Sequence, residues 1–212
     1  MRKETILSLM EQHNPIILGS ESFSKFSVLL PLIEIENELH LVYEVRAESL
    51  RRQPGEICFP GGKIDKTDES PQFAAIRETT EELKVNSNQI ESVYPLNYLV
   101  SPYGMIVYPF VGFLTVNELP APNEDEVSEV FTVPLSHFLS TEPAIHKVEF
   151  EAHPEENFPY ELVPGGKNYT FRKRVYEEYF YPYKSYSIWG LTARITAEFV
   201  KLLKQQQSER DV

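Results

Sequence analysis

The chain reads as an α/β protein, an α/β/α sandwich with a mixed β-sheet between helices. Three observations predict it. Two apolar runs at 25–35 and 38–46 meet at a tight turn near Glu36-Asn37, further strand-like runs fill the middle, and helical patterns stand at the start, centre and end. The 212 residues are 42% hydrophobic and 12% aromatic, enough for one folded domain over 1–212.

The elements follow in order. Residues 2–12 have helical spacing, with Ile6, Leu9 and Met10 on one side. "KFSVLLPLIEI" and "ELHLVYEVR" read as paired strands, and "EICFPGGKI" as a strand entering a glycine turn. A helix over 71–83 starts at Ser70 as N-cap, with Pro71 at its first position. "SVYPLNYLV" and "MIVYPFVGFL" are strands joined by a turn at Ser101-Pro102-Tyr103-Gly104. "NEDEVSEVFTVPLSHFL" combines an acidic loop, a short strand and a short helix. Residues 140–186, rich in Tyr, Pro and Glu, give no clear order. A long helix over 188–205 carries Leu191, Ile195, Phe199 and Leu202 on one stripe.

A formal net charge of −12 argues against nucleic-acid binding, which needs a basic surface. It also repels a phosphorylated ligand unless local cations or a metal recruit it. No apolar run approaches the roughly 18 residues of a membrane span. The stretch "MRKETILSLMEQ" has no apolar signal core, so no secretory signal is expected. The single cysteine, Cys58, excludes an intrachain disulfide and cannot build a zinc site, which favours a reducing, cytoplasmic location.

The central helix carries the chemistry. With Ile76 set at zero and about 100° per residue, Phe73, Thr80 and Leu83 fall on one face. Glu78, Glu81 and Glu82 fall opposite, with Arg77 between the faces. Arg77 can relieve Glu81, but the Glu78/Glu82 repulsion costs about 0.2–0.5 kcal/mol on an isolated helix. The acids also crowd toward the C-terminal half, where the helix dipole favours cations. Either they form a solvated face, or they hold a hard divalent cation of the kind that bridges carboxylates to phosphates.

Gly62 through Val85 resembles the Nudix box: Gly, five residues, Glu, seven residues, Arg-Glu-U-x-Glu-Glu-x-Gly-U, with U apolar. Arg77, Glu78, Glu81 and Glu82 occupy its Arg-Glu and Glu-Glu positions, and Glu69 lies eight residues before Arg77. The loop is one residue longer, Thr79 replaces an apolar residue, and Lys84 replaces the late glycine. Upstream, "RAESLRRQPGEICFPGG" resembles the coenzyme A pyrophosphatase branch, which shares the longer loop; "EVFTVPLSHFL" and "IWGLTARI" are also similar to it. The segment 140–186 is longer than that branch implies.

The resemblance implies a Nudix-type fold and hydrolysis of a diphosphate, here of coenzyme A to 3′,5′-ADP and 4′-phosphopantetheine. It implies Mg²⁺ or Mn²⁺ on Glu78, Glu81 and Glu82, with Arg77 pairing Glu81 or reaching back to Glu69. The general base stays open among Glu81, Glu82 and a later acid, Glu126 or Glu129 ahead of Glu124. Arg46, Arg51 and Arg52 are candidates to grip a phosphate through forked hydrogen bonds, with Gly61 and Gly62 lining the substrate side. The competing readings are surface charge for those arginines, a solvated hairpin for Arg172-Lys173-Arg174, ADP-ribose or NADH as substrate, and a non-catalytic nucleotide-binding module. The partners expected are a small-molecule substrate and a second copy in a homodimer, without nucleic acid or membrane.

Overall fold

Glu36 and Asn37 both take positive φ, 52° and 64°. That is the twist a two-residue hairpin loop needs to join antiparallel strands. The loop links β1 (Ser24–Ile35) to β2 (Glu38–Arg46), in register from Leu32 opposite Leu41 to Ile35 opposite Glu38. The structure, a computed structural model, describes residues 2–210.

Before this hairpin lies α1 (Lys3–Gln12), and after it come β3 (Ile57–Cys58), β4 (Gly61–Lys63) and α2 (Pro71–Leu83). Then follow β5 (Ile90–Pro95), β6 (Leu99–Ser101), β7 (Met105–Leu114), β8 (Val127–Pro134) and α3 (Leu135–Ser140). The chain continues through β9 (Ala144–Phe150), β10 (Arg174–Tyr183) and β11 (Tyr186–Trp189) into α4 (Gly190–Arg210).

The main sheet runs β3-β2-β1-β7-β5, with β4 on β1, β6 on β7 and β8 on β2. β1 and β7 are parallel and the other pairs antiparallel, so the sheet is mixed as expected. A central strand covered on both faces must be apolar on both. β1 meets that demand with a nearly continuous buried run, Leu29, Leu30, Leu32 and Ile33. The period of two then sorts β1 and β2 between layers. Leu29, Ile33 and Val42 join the cluster under α2, whereas Leu30, Leu32, Leu41 and Tyr43 join the cluster under α3 and α4. On the second side the Tyr43 ring stacks on Phe59 at 4.7 Å, and its hydroxyl pairs with the Thr196 hydroxyl at 2.9 Å.

Three elements differ from the sequence reading. No residue of α1 is buried, so Ile6, Leu9 and Met10 share a side without packing on the core. The buried stripe of α4 is Thr192, Ala193, Ile195, Thr196, Phe199 and Val200, with Leu191 and Leu202 at its margins. Residues 140–186 supply most of a second, three-stranded antiparallel sheet, β11-β10-β9. Its β9 is exposed along nearly its whole length, which removes the apolar alternation that marks a half-buried strand. Among the described residues no helix is long and apolar enough to cross a membrane.

Helix α2 begins as expected, the Ser70 hydroxyl accepting from the Phe73 N–H at 3.1 Å with Pro71 in the first turn. It ends on Lys84 in the left-handed region, at φ 50° and ψ 37°. A side chain there costs about 1–2 kcal/mol that glycine avoids, offset in part by glycine's greater freedom in the unfolded chain. Lys84→Gly should therefore raise stability by about 0.5–1 kcal/mol, visible as a higher urea midpoint at unchanged slope.

Candidate active site

Small residues set how α2 meets the sheet. Its buried positions are Ala74, Ala75, Thr79, Glu82 and Leu83, while Phe73 is 46% exposed and Ile76 and Thr80 lie at the margin. The packed face is therefore rotated from the one phased on Ile76. Alanines let the backbone approach β1 closely, and the Ser27 hydroxyl pins the helix start by donating to the Pro71 carbonyl at 2.6 Å. Thr79 is tolerated inside because its hydroxyl donates to the Ala75 carbonyl at 2.7 Å. About 100° per residue then puts Glu82 roughly 20° from Ala75 and Glu78 roughly 60° from it. Of the three acids expected to face away from the sheet, Glu82 is only 4% exposed and turned toward it.

The glycine pair explains what that carboxylate meets. The Gly61 N–H donates to Glu82 Oε2 at 2.7 Å. Gly61 has φ 153°, and a Cβ there would lie 2.4 Å from the Ser27 carbonyl oxygen and 2.6 Å from Val28 Cα. A Cβ on Gly62 would lie 2.4 Å from the Glu78 carboxyl group. The two glycines make room for the acids, and Gly61 also bonds one of them.

Arg77 orders the front of the site. Its guanidinium grips Asp68 in a fork, Nε to Oδ1 at 2.9 Å and Nη2 to Oδ2 at 3.0 Å. It also reaches Glu78 at 3.0 Å and Glu81 at 3.2 Å. The pairing with Glu81 is as expected; the backward reach goes to Asp68, and Glu69 is exposed. Hydrogen bonds from Arg77 hold the Asp68 carboxyl below the usual carboxylate range. Glu81, its side chain 52% exposed, faces Arg77.

Behind these groups stands Glu44 of β2, 1% exposed. One of its oxygens accepts from the Cys58 thiol at 3.2 Å, and Oε2 has no partner. Burial raises the Glu44 carboxyl to about 7. Burial and then the charge of Glu44 raise Glu82 to about 9, against the opposing bond from Gly61. Glu78 is raised by burial as well, despite Arg77. The charge of Glu126 acts on all three. Its loop is tied in by the Ala47 N–H donating to the Glu126 carbonyl at 2.9 Å, and by the Asn123 N–H donating to the Glu82 carbonyl at 2.7 Å.

The other expected residues separate into near and far. Arg46, at a register irregularity where β2 meets β8, has a buried Nε without a partner, and its charge lowers the Glu44 pKa. Arg51 and Arg52 are exposed in the following loop. Glu129 is a correction. It pairs opposite Val45 and accepts from the Tyr186 hydroxyl, whose ring stacks on Phe131 at 3.8 Å. Strand alternation thus puts it on the α4 side of the sheet, away from the acids of α2. In the basic run, Lys173 pairs with Glu149 and Glu151 across the β9–β10 hairpin, as a solvated hairpin would. A groove of about 1210 Å³ opens between α4, β6 and the second sheet, and it shares no residue with the acid group.

As the side chains stand, no three His, Cys, Asp or Glu among the described residues form a ready ligand set. Their chemistry nonetheless suits a hard divalent cation: the donors are all oxygens, two carboxylates are almost fully buried, and one oxygen is unpartnered. Sequence reasoning missed Asp68 and Glu44. For Glu44 the signal was a charge sharing a strand face with Val42, a position that alternation assigns to the core.

The match to known proteins agrees with this arrangement. A NUDIX domain model covers residues 26–154. The chain is 36% identical over 189 residues to the mouse peroxisomal coenzyme A diphosphatase NUDT7, spanning 88% of this chain and 73% of that one. It is 27% identical to Nudix hydrolase 3 of Caenorhabditis elegans (95% and 82%) and 31% identical to the Nudix hydrolase NudL of Escherichia coli (81% and 79%). Among solved structures, a MutT/nudix family protein from Enterococcus faecalis superposes with a TM-score of 0.50 at 15% identity, over 96% of this chain and 70% of that one. With the box carboxylates, their glycine supports and the mixed sheet all in place, the chain belongs to the Nudix family.

Proposed function

We propose that this chain is a metal-dependent hydrolase of coenzyme A or its acyl derivatives, releasing 3′,5′-ADP and 4′-phosphopantetheine or its acyl form. The observation that carries the reading is the buried pair Glu82 and Glu44, with the unpartnered guanidinium nitrogen of Arg46, whose charge acts on Glu44. Buried carboxylates suit a cation and an orphaned guanidinium nitrogen suits a phosphate, which supports the reading. The likeness to a coenzyme A diphosphatase supplies the substrate class.

Glu78 and Glu82, with Glu81, would hold the cation, Mg²⁺ or Mn²⁺. When bound, it supplies Lewis-acid neutralisation of the diphosphate and eases deprotonation of water. Arg77 is a positioning residue that braces Glu78 and Glu81 against Asp68. Glu126, on its tethered loop, is the favoured proton acceptor from the attacking water, with Glu81 and Glu82 as the other candidates. Arg46 grips a phosphate, with Arg51 and Arg52 reaching the outer part of the ligand. The leaving phosphate departs as the P–O–P bridge breaks and water oxygen adds to phosphorus.

The reading extends to one domain over residues 1–212, a homodimer and a cytoplasmic location. Sedimentation tests the second; imaging of the tagged chain tests the third against the peroxisomal location in the mouse relative's name.

Chromatography of products from coenzyme A, dephospho-CoA, ADP-ribose and NADH is the direct test. We expect 3′,5′-ADP from coenzyme A with Mg²⁺ or Mn²⁺, none with EDTA, and poorer turnover of dephospho-CoA. Preference for ADP-ribose or NADH would replace the substrate, and no cleavage at all would leave a binding module. Glu82→Gln keeps the acceptor for Gly61 and should lower kcat/KM by about 10²-fold or more without loss of thermal stability. A solvated-face role predicts unchanged kinetics.

A further inference from the structure

We propose that Glu44, from strand β2, supplies a further oxygen ligand to the cation held by the glutamates of α2; the inference rests on the metal-dependent reading above. Glu44 lies outside the Arg-Glu-x-x-Glu-Glu motif, on a different element, and faces the underside of the helix.

A fully buried carboxylate is among the costliest side chains to place in a protein unless it is paired or coordinates a metal. Glu44 has neither kind of partner in the ion-free chain. Its Oε1 accepts from Cys58, a weak donor whose thiol is held neutral by burial and by Glu44 itself. Its Oε2 is buried and unpartnered. Arg46 makes no ion pair with it among the described residues, and its own Nε is equally orphaned. Around it, the charge of Arg46 is set against those of three acids, Glu126, Glu78 and Glu82. A buried oxygen with a free lone pair, in a field where three carboxylates oppose one guanidinium that makes no ion pair with it, is short of positive charge.

The backbone supports the same role. β2 is bonded along both edges, to β1 and β3 on one and to β8 on the other, and Glu44 sits between Cys58 and Val130, so it projects from a well-braced part of the sheet. Glu81, by contrast, is half exposed and tied to Arg77. A single helix presents its acids from one side; Glu44 adds an oxygen from the sheet, on the opposite side of the site. A purely structural role for Glu44 makes a different prediction, because an uncharged isostere would then leave metal binding untouched.

The test measures Mn²⁺ binding directly, by loss of the free-ion electron paramagnetic resonance signal, on chelator-stripped protein without substrate. Wild type is compared with Glu44→Gln, with Glu44→Asp, and with Glu91→Gln, which removes an exposed charge on β5. Glu44→Gln should weaken Mn²⁺ about 10- to 100-fold while the metal-free protein melts at the same or a higher temperature. Glu91→Gln should match wild type. Mn²⁺ affinity unchanged in Glu44→Gln, with wild type binding, overturns the role of Glu44 and leaves the metal-dependent reading intact. Wild type that takes up no Mn²⁺ overturns both. Should Glu44→Gln fail to fold, Glu44→Asp decides: a shortened carboxylate weakens Mn²⁺ if it is a ligand and leaves it unchanged if it is not.

Discussion

A single hydrogen bond, from the Gly61 amide to the buried carboxylate of Glu82, joins the glycine turn to the acidic helix. It demands a glycine at Gly61, because β1 leaves no room for a Cβ, and small residues on α2, because the helix must come close enough for the carboxylate to reach. It also turns Glu82 inward, away from water that would otherwise solvate it. The neighbouring glycine does the same for Glu78 by leaving space for its carboxyl group. Two adjacent residues without side chains thus accommodate two acids, one of them by a direct bond, and the arginine just ahead of both in sequence fixes the loop through Asp68.

The sheet divides the labour between its faces. On the α2 side, aliphatic residues of β1, β2 and β7 give way at one end to carboxylates. On the α4 side, an aromatic stack of Phe59, Tyr43, Phe131 and Tyr186 runs without charge except for Glu129 at its rim. That stack is closed by the Tyr43–Thr196 pair, which satisfies a hydroxyl that burial would otherwise strand. The polar strain of the acid site is therefore carried by strands whose other side is well packed.

Much of this was legible in the chain. The Glu36-Asn37 turn, the Ser70 cap and the strand–helix order followed from local patterns, because each depends on residues close in sequence. The orientation of α2 did not. A wheel phased on Ile76 favours bulk, whereas the contact was decided by Ala74, Ala75 and Thr79, whose smallness lets the backbone approach. Glu44 and Asp68 were hidden for another reason: their partners lie far away in sequence or one position off the motif. Glu126 and Glu129, three residues apart, looked equivalent as a string; the loop places one beside the acids and β8 turns the other away. The second sheet escaped because β9 carries no buried alternation to betray it.

One backbone contact couples parts that lie far apart in sequence. The Asn123 amide is bonded to the carbonyl of Glu82, near the end of α2, where the helix terminates on a residue in the left-handed conformation. The acidic loop is thereby fastened to the last turn, which is the turn most prone to fray. Fraying from that end would release Asn123 and loosen Glu126 before it disturbed Glu78 one turn earlier. Loop and helix terminus therefore form one cooperative opening unit, and anything that tightens the last turn also limits how far the loop can swing.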